Sequence, residues 1–209
     1  MMGKLRWLLT AAVVTLVAVV PVIYYRVMYT HSKRFREVAP GRVYRSGEMT
    51  ADGFTEVVLR HHIRTIINAQ DEYPDPDLRE SYFSSSTIKE SELCKRLGTR
   101  YVFLPPDLIA RHEIPKKRPE AIDKFLALMD DPDSYPVLIH CRAGLHRTGI
   151  LTAVYRMEYD GWDKLDAVRE LKANGFGEWP CTSANDYIKQ YILTYRRGVR
   201  EQRSEVGSR

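Results

Sequence analysis

Cysteine is scarce in this chain, with three residues in 209. A disulfide scaffold needs a denser set, and three thiols cannot all pair within one molecule. There is no collagen period, low-complexity tract or acidic block, so fibrous and disordered classes are excluded, and no internal repeat is visible. The histidine pair His61-His62 lacks ligand spacing and partners, so no metal site is expected. A basic stripe with interleaved aromatics is missing too, and a nucleic-acid partner is therefore not expected. The net charge of +5 has another source. Lys4 and Arg6 precede an apolar run and Arg26, Lys33, Arg34 and Arg36 follow it, while Arg196, Arg197, Arg200, Arg203 and Arg209 crowd the C-terminus. With 44% apolar and 28% charged residues, the length suits one domain with its own core, plus a tail.

The apolar run is Trp7–Tyr25, nineteen residues without a charge. At ~1.5 Å per residue it spans ~28 Å, about one hydrocarbon core. Trp7, Tyr24 and Tyr25 sit at its ends, as interfacial aromatics do. A cleavable signal peptide competes with this reading, but the run is long for one and no small-x-small site closes it. A buried core helix is the third alternative. The expectation is an uncleaved single-pass anchor, which makes the membrane a partner. Basic residues nearly balance on the two flanks, so charge alone does not set the sidedness.

The chain accordingly divides into a flank (1–6), an anchor (7–25), a basic juxtamembrane linker (26–35), one domain (36–198) and a charged tail (199–209). Within the domain, short β-prone segments alternate with helical ones. Arg42–Arg45, Thr65–Asn68, Tyr101–Leu104 and Val137–His140 read as strands. Thr50–His61, a segment ending near Leu97-Gly98, Arg118–Met129, Gly149–Tyr159, Trp162–Lys172 and Ala184–Tyr195 read as helices. This alternation predicts an α/β fold, with a mainly parallel sheet of four to five strands flanked by helices.

One segment carries chemistry. The apolar strand Val137-Leu-Ile-His140 runs into Cys141, then Arg142, Ala143, Gly144, Leu145 and His146, then Arg147, Thr148 and Gly149 at the start of an apolar helix. Free backbone N–H groups and the positive end of a helix dipole converge where a strand feeds a helix N-terminus, which makes an anion site. Gly144 lets the backbone turn tightly enough to aim successive amides inward. Arg147 can return its guanidinium to the mouth of the loop and hold two oxygens of a tetrahedral anion as a fork. The same field can lower a thiol from ~8.5 to ~3.5–7.5. Cys141 would then attack a bound phosphorus as thiolate, and Thr148 could donate its hydroxyl to the sulfur as it leaves.

His-Cys-x5-Arg-Thr-Gly resembles the signature of the cysteine-dependent protein tyrosine and dual-specificity phosphatases. The block from Phe35 to Gly47, a helix, and Ile63–Asn68 is similar to the start of the atypical dual-specificity branch found in bacteria, fungi and plants. The likeness covers about residues 35–197. It implies a cofactor-free, two-step phosphomonoester hydrolase fold in which His140 supports the loop. It also implies a general acid on a loop roughly thirty to forty residues before the cysteine. Asp107 lies thirty-four residues before Cys141, directly after a strand and between prolines, with Glu113 in reserve. Arg142 and His146 either face substrate or are solvated. Relatives that prefer phosphoinositides often carry Lys where Leu145 stands, and this chain departs from them there.

The expected substrates are phosphorylated proteins (pTyr, with pSer and pThr as extensions) or a phosphoinositide, acted on by a monomer. Cys141 must stay a free thiol, which favours a cytoplasmic face for the domain. Cys94, at helical spacing, reads as packing, and Cys181 as a weaker candidate for a resolving thiol. Arg45-Ser46 reads as bracing and Asn185 as a candidate for positioning water. The rival readings are a phosphate-binding module without catalysis and a sulfurtransferase, whose shorter cysteine loop does not match.

Overall fold

A computed structural model describes residues 2–71, 73–106, 120–177 and 186–198. Its centre is a five-stranded sheet in the order β1-β2-β7-β3-β6, formed by β1 (Arg36–Ala39), β2 (Val43–Gly47), β3 (Thr65–Asn68), β6 (Arg100–Phe103) and β7 (Val137–Cys141). Only the β1–β2 pair is antiparallel; β2, β7, β3 and β6 run parallel. A separate hairpin joins β4 (Asp77–Arg79) to β5 (Thr87–Lys89). The fold is the expected α/β type. The antiparallel β1 and the hairpin are additions to the sequence reading. Their strands are three or four residues long and polar at half or more of their positions, too short to stand out as an alternating pattern in the sequence.

Strands β2, β3 and β7 are buried along their whole length because helices cover both faces. Helices α2 (Ala51–His61) and α3 (Glu90–Leu97) pack one face, where Phe54, Val58, Leu93 and Cys94 meet Ile66 and Leu138. On the other face lie α4 (Glu120–Asp130), α5 (His146–Tyr159), α6 (Lys164–Ala173) and α7 (Asp186–Thr194). There Phe125, Leu126, Leu151, Val154 and Tyr155 close over Ile67 and Ile139. Local chemistry sets several ends. The Thr50 hydroxyl accepts from the Gly53 amide at 3.2 Å and caps α2, Asp163 caps α6, and Gly98 ends α3 in the left-handed region at φ 68°.

Helix α1 (Gly3–His31) has a mean hydropathy of 2.3 in its most apolar window, and that window buries nothing against the rest of the chain. By length and composition it could cross a membrane, a test that a signal sequence also passes. The core-helix alternative fails because no side chain described between Gly3 and Tyr25 is buried. The helix runs past Tyr25 to His31 and then meets the domain. His31 Nε2 lies 2.8 Å from Glu56 Oε2 on α2. The His31 carbonyl approaches Gly53 so closely that a Cβ there would sit 2.0 Å from its oxygen.

Candidate active site

Strand alternation sends His140 and Cys141 to opposite faces of β7. Cys141 ends the strand on the α5 side, 3% exposed, at the C-terminal edge of the parallel sheet. The loop after it bends back to enter α5 at His146, three residues earlier than the sequence pattern suggested. Three successive carbonyls of this loop are tied outward. Arg142 O accepts from the Glu48 amide at 3.3 Å, Ala143 O from Arg34 Nη1 at 3.0 Å, and Gly144 O from Arg45 Nη2 at 2.9 Å. A trans peptide unit holds its N–H opposite its C=O. The amides of Ala143, Gly144 and Leu145 therefore turn to the inner side, toward the N-terminus of α5. That is the orientation an anion nest requires.

Gly144 is needed twice over. Its φ is +71°, and a Cβ would stand 2.5 Å from the Gly47 nitrogen and 2.6 Å from the Ser46 carbonyl. The loop thus rests on the end of β2, and Arg45, 3% exposed, is the brace beneath it. Burial lowers the Arg45 guanidinium to about 10, with Glu170 and Cys141 opposing, so it stays charged at neutral pH.

Arg147 projects from the first turn of α5, with its guanidinium paired to Asp71. Asp71 was missed by the sequence reading. The parallel register puts Asn68 of β3 beside His140 of β7, so a residue three beyond β3 lies beside the loop that follows β7. That pairing was the signal available, and it required knowing the strand order. Thr148 is fully buried, and its hydroxyl makes no hydrogen bond among the described residues. Leu145 is buried and Arg142 exposed. His146 is half-buried with its ring edge-on to Phe176 at 5.6 Å, and burial followed by the Arg147 charge lowers its pKa.

On the opposite face, His140 Nε2 meets Glu90 Oε1 at 2.6 Å, both side chains fully buried. Phe54 stands edge-on to the His140 ring at 5.1 Å, and the His140 carbonyl accepts from the Ala69 amide at 2.8 Å. His140 is thus held on the face behind Cys141 by a partner fifty residues away. In the sequence Glu90 looks like an ordinary acid in the first turn of an exposed helix, which is why it escaped notice. Asp107 and Glu113 lie outside the described residues, as do Cys181 and Asn185. The chain leaves β6 at Phe103 on the same sheet edge that carries Cys141, and Leu104 is tied to Asn68 there at 2.8 Å.

A family model described as the tyrosine phosphatase family matches residues 29–196. The chain belongs to that family. Among its relatives is the dual specificity protein phosphatase TpbA of Pseudomonas aeruginosa (strain UCBPP-PA14), 49% identical over 55 residues, which cover 26% of this chain and 25% of TpbA. The chain thus matches about a quarter of the length of that curated relative. A crystal structure of a TpbA variant from P. aeruginosa in complex with pTyr superposes with a TM-score of 0.52 at 21% identity, covering 76% of this chain and 87% of that one. The catalytic core of the PP-IP phosphatase SIW14 from Saccharomyces cerevisiae, bound to citrate, gives a TM-score of 0.58 at 20% identity, covering 79% and 86%. These likenesses show that the phosphatase family's fold is shared.

Proposed function

We propose that this family member is a membrane-anchored phosphomonoester hydrolase that works through a phosphocysteine. The observation that carries the reading is the loop of inward amides, braced by three outward carbonyl bonds, with Cys141 at its base. The substrate dianion lies in the nest and is held by the Arg147 fork. The Cys141 thiolate attacks phosphorus. The S–P bond forms as the P–O bond to the leaving group breaks, and the Asp107 carboxyl gives its proton to the departing oxygen. In the second step the Asp107 carboxylate takes a proton from water, whose oxygen attacks phosphorus. The S–P bond breaks, inorganic phosphate leaves, and Thr148 donates a hydrogen bond to the returning sulfur. The buried Thr148 hydroxyl, without a hydrogen-bond partner among the described residues, supports that role.

The favoured substrates are phosphorylated proteins, pTyr first, in line with the ligand of TpbA. A phosphoinositide or inositol phosphate is the second reading, favoured by the likeness to SIW14 and by the direct connection of α1 to the domain. The protein acts as a single-pass monomer with its domain on the cytoplasmic side, where the thiol stays reduced. The test is turnover of p-nitrophenyl phosphate in chelator by the purified full chain. Cys141→Ser should abolish it, and activity retained in that variant sinks the mechanism. Phosphopeptide binding with no phosphate released by the native protein would instead support the non-catalytic module.

A further inference from the structure

Lys33 and Arg34 belong to the segment expected to be a basic juxtamembrane linker, yet both are half-buried. The chain turns sharply here. Phe35 N donates to Ser32 O at 2.7 Å, and Arg34 takes the left-handed conformation at φ 59°. A non-glycine residue holds that conformation only when its surroundings over-determine it. Three contacts do so. Arg34 Nη1 donates to Ala143 O at 3.0 Å, its guanidinium lies 5.6 Å from the Tyr29 ring centroid, and Lys33 O accepts from the Gly47 amide at 2.7 Å.

The Lys33 side chain crosses the end of β2. Its Cγ and Cδ lie 2.9 Å from where a Gly47 Cβ would stand, and Gly47 is the register partner of Cys141. Neighbouring strands are ~4.8 Å apart, so this stem passes beside the nucleophile. Burial lowers the Lys33 pKa, and Glu48 and Cys141 oppose that effect while Arg142 and Arg34 add to it.

We propose that the Lys33–Arg34 turn is a working part of the active site. Lys33 is a cation that stabilises the Cys141 thiolate and the bound dianion, and Arg34 is a positioning residue that holds the Ala143 amide plane. The proposal rests on the phosphocysteine reading for its purpose, but not for its measurement. The other cation that the structure sets against Cys141 is Arg45 from β2, while Arg142 stands against Lys33. Asp71 is paired to Arg147, and Glu48 faces Lys33.

The experiment uses the full chain in detergent micelles. Iodoacetamide alkylation of Cys141 is followed on its own peptide by mass spectrometry across pH. Lys33→Met should move the midpoint of that curve up by about 0.5–1 pH unit, as loss of one nearby cation predicts. The acid limb of kcat/KM should follow it, and Lys33→Arg should restore both. Lys33→Gln repeats the measurement should the Met variant fold poorly. Arg34→Ala should weaken inhibition by inorganic phosphate about tenfold, with partial recovery in Arg34→Lys, which keeps a donor for Ala143 O. An unmoved alkylation curve in the folded Lys33 variants, together with unchanged phosphate inhibition in Arg34→Ala, overturns the proposal. A native protein that alkylates as expected but releases no phosphate would refute the phosphatase reading alone.

Discussion

Cys94 and Cys141 are buried alike, 0% and 3% exposed, on opposite faces of one sheet. Around Cys94 the neighbours are acids. Burial first, then Glu90 and Asp75, push its thiol up to about 12. Cys141 instead interacts with two cations, Lys33 and Arg45, and ends its strand just before the loop whose carbonyls are tied outward. Burial alone sets only the cost of a charge. The sign of the surrounding groups decides whether a thiolate can exist. On the proposed mechanism one side of the sheet has to hold an anion, while the other keeps the Cys94 thiol neutral and packed.

That contrast can be broken most severely at the nucleophile. Cys141→Ser should lower kcat on p-nitrophenyl phosphate by ~10⁴-fold or more, as loss of a covalent nucleophile does. Asp107→Asn should lower kcat by about 10²–10⁴-fold with KM little changed, and should flatten the limb of the pH profile that reports the acid. Arg147→Lys keeps the charge but loses the fork, and about 10²–10³-fold in kcat/KM should go with it. On the other face the effects should appear in stability. Glu90→Ala leaves His140 buried without its partner and should cost about 3 kcal/mol in urea unfolding. Cys94→Ala should cost only about 1 kcal/mol and leave kcat/KM unchanged. At neutral pH, iodoacetamide should label Cys141 and spare Cys94; equal labelling of the folded protein would dissolve the comparison.

Much of this was legible in the sequence because it is local. The strand Thr65–Asn68, the helix Thr50–His61, the helix end near Gly98 and the Cys141–Arg147 loop all come from patterns a few residues long. What escaped is what depends on strand order. Asp71 reaches Arg147 only because β3 lies beside β7, Glu90 reaches His140 from across the hairpin, and Arg34 reaches Ala143 over 109 residues of chain. No spacing rule connects such pairs. The first turn of α5 was missed for a different reason: His146, Arg147 and Thr148 are polar or charged, and they carry no apolar period to announce a helix.

The junction at Gly53 has a further consequence. A flexible linker as long as residues 26–35 would let an active site wander roughly 17 Å from its point of attachment. Here the missing Cβ at Gly53 lets the helix end sit directly on α2, and His31, Lys33 and Arg34 fasten it. On the anchored reading the enzyme is a bracket rather than a tethered float. If the proposed anchor holds, a substrate would have to present its phosphate at one level above the bilayer to be cleaved.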